Sequence, residues 1–235
     1  MYELKGIQED KPKEACGIFG VFSNEDIYLG NIMYYGLSAL QHRGQESAGI
    51  AISDGEQINC YKGMGLVSQV FDVEKLQELK GKIAIAHNGN ITNAEGLKEK
   101  LKAKGAVFKT TSDSEVILKL LEMEPHVEIK DKFINGLKYL KGSYSLILST
   151  KDTLIAVRDS LGIRPLCIGK LNGNYVISSE SCALSSLKIE FIRDVNPGEM
   201  IIISNKSMES VNVFKKKIMD FVHLNIYILL EETVL

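Results

Sequence analysis

The chain has 235 residues, 45% hydrophobic and 25% charged, which is enough to bury one sizeable core. Its formal net charge of -2 at pH 7 gives no global attraction to nucleic acid or to an anionic membrane, so neither is expected as a partner. No stretch reaches the roughly 18 apolar residues of a spanning helix. The polar segment Met1 to Glu14 is no signal peptide, and a cytoplasmic location is expected.

Taken in chain order, Gly17 to Phe22 is a short apolar run that reads as a strand, and a helical pattern runs from Asn24 or Asp26 to Leu40, stopped by Gly44. Ser47 to Ser53 and Gln57 to Tyr61 flank Asp54-Gly55, a turn dipeptide that predicts a hairpin. Val67 to Leu79 reads as a helix. Lys82 to Ala86 reads as a buried strand running into a polar turn, His87-Asn88-Gly89-Asn90. Thr92 to Glu95 and Ser112 to Glu115 both have capping-box spacing, opening one helix that ends at Gly105 and another over Val116 to Met123.

An amphipathic helix is expected over Asp131 to Leu140, then strands at Tyr144 to Ser149 and Leu154 to Val157. Leu166 to Leu171 and Tyr175 to Ser178 flank Asn172-Gly173-Asn174, the strongest hairpin signal in the chain. A short helix at Cys182 to Leu187 and strands at Phe191 to Val195 and Met200 to Ser204 complete the pattern. Strands, then helices, then strands predict one α+β domain in which antiparallel sheets are covered by helices.

Cys16, Cys60, Cys167 and Cys182 are far apart and form no Cys-x-x-Cys pair, so neither a disulfide framework nor a zinc site is expected. A lone cysteine is ordinarily a small buried apolar residue. Cys16 differs in its setting. It opens the first strand behind a polar segment, and cleavage before it would place a thiol and a free α-amine on one residue. Such amines titrate near 7.7 to 8.0, so an unprotonated fraction at neutral pH can take the thiol proton. Gly17 beside it lets a ligand approach closely.

Four runs in fixed order, Cys16-Gly17-Ile18-Phe19-Gly20-Val21, Gln41 to Gly49, His87 to Asn93 and Thr111 to Glu115, resemble the glutaminase half of the amidophosphoribosyltransferase family. The later runs Arg158 to Leu166, Ser179 to Leu184 and Asp194 to Glu199 agree with it, so the likeness spans about Glu14 to Phe214. The resemblance implies a four-layer αββα sandwich of the N-terminal nucleophile hydrolase type. It implies a removable leader over 1–15, an amidotransferase domain over 16–214 and an atypical tail over 215–235, with the phosphoribosyltransferase domain absent. Cys16 would attack glutamine, Asn88 and Gly89 would stabilise the oxyanion, Asp113 would hold the α-ammonium group, and Arg43 would line the site.

Read without the resemblance, Asn88-Gly89 is a turn, Asp113 supports a helix's first turn, and Arg43 is a solvated cation near carbonyls. His42, His87 and His126 have no metal-ligand spacing and are taken as structural. No cofactor is expected in this chain, since magnesium and the iron–sulfur cluster of some relatives belong to the absent domain. The implied partners are glutamine and a phosphoribosyltransferase domain, normally in the same chain, and a homo-oligomer is allowed.

The chain departs from the family in two places. A block containing His-Val-Arg-Tyr is missing, as though two similar strands had been fused across Lys80 to Asn88. The lost arginine clamps the glutamine α-carboxylate, so glutamine binding should weaken by about tenfold to a few hundredfold, and a sheet edge should be left uncovered. The stretch from Lys217 to Leu235 does not match the family's Phe-Glu-Tyr-Ile-Tyr-Phe-Ala-Arg, which a change of reading frame would explain. Two readings stay open: a cysteine glutaminase, of this family or another class II amidotransferase, and a non-catalytic module that keeps the fold.

Overall fold

In the computed structural model, which describes residues 17–45, 47–77, 79–88, 94–108, 113–125, 128–140, 143–205 and 207–213, the first apolar run becomes β1 (Gly17–Tyr28) at the heart of a sheet. Alternation along β1 decides where its side chains go. Phe19 and Val21 enter one core, and Ile18 and Phe22 enter another on the opposite face. A long strand with both faces covered by apolar groups is a central strand.

The order of elements continues with α1 (Gly30–Ala39), β2 (Ser47–Ser53), β3 (Ile58–Met64), α2 (Val67–Val70), α3 (Val73–Gln77) and β4 (Lys80–Asn88). It proceeds through α4 (Ala94–Ala103), α5 (Asp113–Glu122), α6 (Ile129–Gly136), β5 (Ser145–Ser149), β6 (Thr153–Arg158), β7 (Cys167–Leu171) and β8 (Asn174–Ser178). It closes with α7 (Ser181–Ser186), β9 (Glu190–Asp194), β10 (Glu199–Ser204) and β11 (Met208–Asn212). No helix among the described residues is long and apolar enough to cross a membrane.

Two antiparallel sheets result, one of seven strands in the order β3-β2-β4-β1-β8-β7-β9 and one of four in the order β11-β10-β6-β5. Period-two alternation sorts three layers of core. Leu154, Ala156, Ile201 and Ile203 meet Ile83 and Ile177 between the sheets. Ile155, Val157 and Met200, on the other face of the small sheet, pack against Ile117, Leu121 and Phe133 of α5 and α6. Leu29, Met33 and Leu37 with Leu184 of α7 cover the outer face of the large sheet. Helices, two sheets, helices: this is the predicted αββα sandwich. Gly36 lets α1 sit directly on the sheet, since an added Cβ would come within 2.6 Å of the Phe19 ring.

Several element boundaries differ from the sequence reading. Asn24 to Tyr28 is strand, because Ile27 and Tyr28 pair with Gly81 and Lys80 after a register shift in β1, and this pairing overrides the local helical pattern. The expected helix over Val67 to Leu79 is two short helices, α2 and α3, separated by the extended Phe71. The helix placed over Asp131 to Leu140 is α6 followed by a 3-10 turn over Leu137–Tyr139. The expected strand over Lys82 to Ala86 extends to Asn88, so His87 and Asn88 belong to β4 rather than to a turn. This apparently fused strand takes a central place, paired on one side with β1 and on the other with β2. The hairpin at Asn172-Gly173 is present, with φ of 49° and 87°.

Two of the family-like runs turn out to hold loops together. Arg158 gives its guanidinium to three carbonyls, those of Arg164 at 2.9 Å, Val195 at 2.6 Å and Gly162 at 2.7 Å. Glu199 is nearly fully buried and accepts from Arg193 at 2.7 and 2.9 Å, from the Asn196 backbone at 2.7 Å and from the Ser210 hydroxyl. Burial alone would raise its carboxyl, but these donors, Arg193 foremost, outweigh it and hold the group at about 2. A carboxylate depressed in the folded state stabilises the fold when ionised. That contribution is complete above the ordinary value of 4.5 and is lost as the pH falls through about 2. Glu199→Gln should therefore lower the urea midpoint at pH 6, and the gap from wild type should close between pH 4.5 and 2. A gap that stays constant with pH would show that the carboxylate's ionisation is not what matters.

Candidate active site

Four segments meet at one end of the large sheet. The antiparallel register of β1 and β4 sets Gly17 opposite Asn88 and Ile18 opposite His87, and β2 brings Gly49 opposite His87 from the other side. Ser179 continues the pairing on the far side of β1. Its N–H donates to the Ile18 carbonyl at 2.9 Å, and its hydroxyl accepts from the Ile18 N–H at 2.9 Å. The strand that begins beside Cys16 is thus fixed from both flanks at its first residues.

The segment between α1 and β2 forms the rim. Residues Gln41–Arg43 make a 3-10 turn, and the Gln41 side chain ties it down by accepting from the Val67 N–H at 2.8 Å and donating to the Gly44 carbonyl. Arg43 ion-pairs with Oε1 of Glu180, and its side chain is only 10% exposed. Oε2 of the same carboxylate lies 3.0 Å from His42 Nε2 and accepts from the Cys182 thiol at 3.5 Å. Burial raises the Glu180 carboxyl, but the bonds from Arg43 and then His42 prevail and hold it below the usual carboxylate range. Arg43 is therefore a pinned cation rather than a solvated one.

Cys167 is buried in β7 with its thiol donating to the Ser178 carbonyl at 3.3 Å. Burial, and after it the Asp194 charge, push this thiol up to about 12, which leaves it without a reactive thiolate near neutral pH. Cys60 and Cys182 are exposed.

Of the residues singled out in the sequence, Asn88 is the last of β4, Asp113 is the first of α5, and Arg43 sits in the rim. Cys16 and Gly89, with the segments 1–15 and 214–235, lie outside the described residues. Glu180 was not singled out. It stands 137 residues from Arg43, and its one signal was its place in the run Ser179 to Leu184.

A sequence model of the glutamine amidotransferase domain matches residues 15–226. The amidophosphoribosyltransferase of Bacillus subtilis (strain 168) is 38% identical over 88% of this chain and 49% of its own length. That of Methanocaldococcus jannaschii is 45% identical over 81% of the chain and 47% of its own. The solved glutamine phosphoribosylpyrophosphate amidotransferase from B. subtilis, complexed with ADP and GMP, superposes with a TM-score of 0.78 at 37% identity, over 85% of this chain and 49% of that one. The chain spans about half the length of the curated relatives it matches.

Proposed function

The chain belongs to the glutamine amidotransferase domain family, in the form found in amidophosphoribosyltransferases, and on that premise we propose that it hydrolyses glutamine with Cys16 as an N-terminal nucleophile. The observation that carries the proposal is the strand register, which sets Gly17, the neighbour of Cys16, opposite Asn88. A nucleophile and an oxyanion donor must act on one carbonyl, and adjacent strand ends are a rigid way to hold them together.

In this reading cleavage after Ala15 frees the Cys16 amine. The amine takes the thiol proton, and the thiolate attacks the side-chain amide carbon of glutamine. The Asn88 side chain and the Gly89 N–H donate to the oxyanion, each such donor typically contributing about 10²–10³ in rate. The intermediate collapses, the proton leaves with ammonia, and water hydrolyses the resulting thioester to glutamate. Asp113 binds the substrate ammonium group, and Arg43, held by Glu180, lines the site. The domain spans 16–214. In the full-length protein, ammonia would pass to a phosphoribosyltransferase domain that begins purine synthesis, in the cytoplasm.

The test is labelling of the full chain with the diazoketone analogue of glutamine, read by intact mass and peptide mapping. The expected product begins at Cys16 and carries one adduct on that residue, and excess glutamine suppresses it. Chain that retains residues 1–15, or an adduct confined to Cys60 or Cys182, would support the non-catalytic reading instead.

A further inference from the structure

We propose that His42, Glu180 and Cys182 form a binding site for a thiophilic divalent cation of the zinc class. Among the described residues, these three donors lie within 4.8 Å of one another. His42 Nε2 is 3.0 Å and Cys182 Sγ 3.5 Å from the shared Glu180 Oε2. Donors around a tetrahedral zinc ion stand about 3.3 to 3.7 Å apart, given bonds of about 2.0 to 2.3 Å. The distances from the carboxylate to the imidazole and to the thiol already lie near that range, and the imidazole and thiol stand within 4.8 Å of each other.

Thiolate, imidazole and carboxylate together suit zinc and cobalt better than magnesium or calcium, which take oxygen donors. Arg43 occupies Oε1 of Glu180 and leaves Oε2 facing the cluster, the kind of outer partner that orients a metal-ligating carboxylate. Binding releases the thiol proton to solvent, and thiolate and carboxylate then balance the two charges of the ion. Entry is open, since the His42 side chain is 57% exposed and that of Glu180 30%. The fourth position is left for water. The site needs neither leader removal nor glutamine hydrolysis, so it stands apart from the proposed function.

Sequence spacing hides this cluster, because its imidazole and carboxylate are 138 residues apart. The fold brings them together by seating the 3-10 turn at the end of α1 against the start of α7. An N-terminal Cys16 could itself chelate metal, so the test uses the full chain carrying Cys16→Ala and Cys60→Ser. Cys182 and the buried Cys167 are then its remaining thiols. Titration with cobalt(II) should give a one-to-one complex with a thiolate-to-cobalt charge-transfer band that zinc(II) displaces. Cys182→Ala should abolish the band, and His42→Gln should weaken binding by at least about tenfold. Both positions are exposed, and circular dichroism establishes that the variants keep the fold. A band that survives in Cys182→Ala, or unchanged affinity in His42→Gln, would overturn the proposal. So would failure of cobalt and zinc alike to bind.

Discussion

Cys16→Ala is expected to eliminate labelling by the diazoketone and to lower any glutamine hydrolysis by at least about 10³-fold, since the proposed mechanism assigns the thiol of the acyl intermediate to Cys16. Of the four cysteines, Cys167 is sequestered by burial and cannot substitute. Cys60 is exposed on β3, and its replacement by serine should leave labelling intact. Cys16→Ser is the sharper variant. A hydroxyl is far harder to ionise than a thiol, so the same α-amine base in a site shaped for sulfur activates serine less, and hydrolysis should fall well below wild type while the residue's size is nearly kept. Labelling that persists in Cys16→Ala would place the reactive thiol elsewhere and end the N-terminal nucleophile reading.

The architecture was legible because the central strands are short apolar runs bounded by turn signals, as strands covered on both faces are. In the fold, Ile18 and Phe22 go to one core and Phe19 and Val21 to another, and Leu154 and Ala156 part from Ile155 and Val157 in the same way. Reading failed where tertiary pairing outranks local pattern. Asn24, Glu25 and Asp26 have the composition of a helix start, but they lie on the exposed end of β1, beyond the residues that face the core. β11 was missed altogether, because its pairing with β10 is by backbone hydrogen bonds and its side chains are mostly exposed, leaving little apolar signal. Arg43 and Glu180 both lie in family-like runs, but the resemblance gives a role to Arg43 alone, and the ion pair that joins the two spans 137 residues. Local spacing finds residues on one element. It does not find residues that two elements bring together.

The same distinction separates the family-like runs into those that shape the site and those that shape the fold, and Asp159 shows what the second kind does. Its carboxylate is fully buried, with Oδ1 accepting from the N–H groups of Leu161 at 2.8 Å and Gly162 at 2.9 Å. Oδ2 accepts from Tyr144 at 3.2 Å and, at the limit of a hydrogen bond, from Arg164 at 3.5 Å. One side chain thus satisfies the donors of the loop after β6 and of the residue leading into β5. Gly162 makes that loop possible, since its φ is +66° and an added Cβ would come within 2.6 Å of the Pro197 ring. Asp159→Ala leaves the N–H groups of Leu161 and Tyr144 without that acceptor, each at a cost of about 1–3 kcal/mol partly relieved where water can enter, while Gly162 keeps its bond to the Asp159 carbonyl at 3.1 Å. A net loss of about 3–5 kcal/mol should follow, seen as a melting temperature lowered by about 10 °C or more. Asp159→Asn keeps one acceptor oxygen but turns an NH₂ toward the donors on the other side, so it should lose roughly half as much. Equal melting temperatures for wild type and Asp159→Ala would mean that the loop finds other partners, and the run from Arg158 to Leu166 would then need an explanation other than stability.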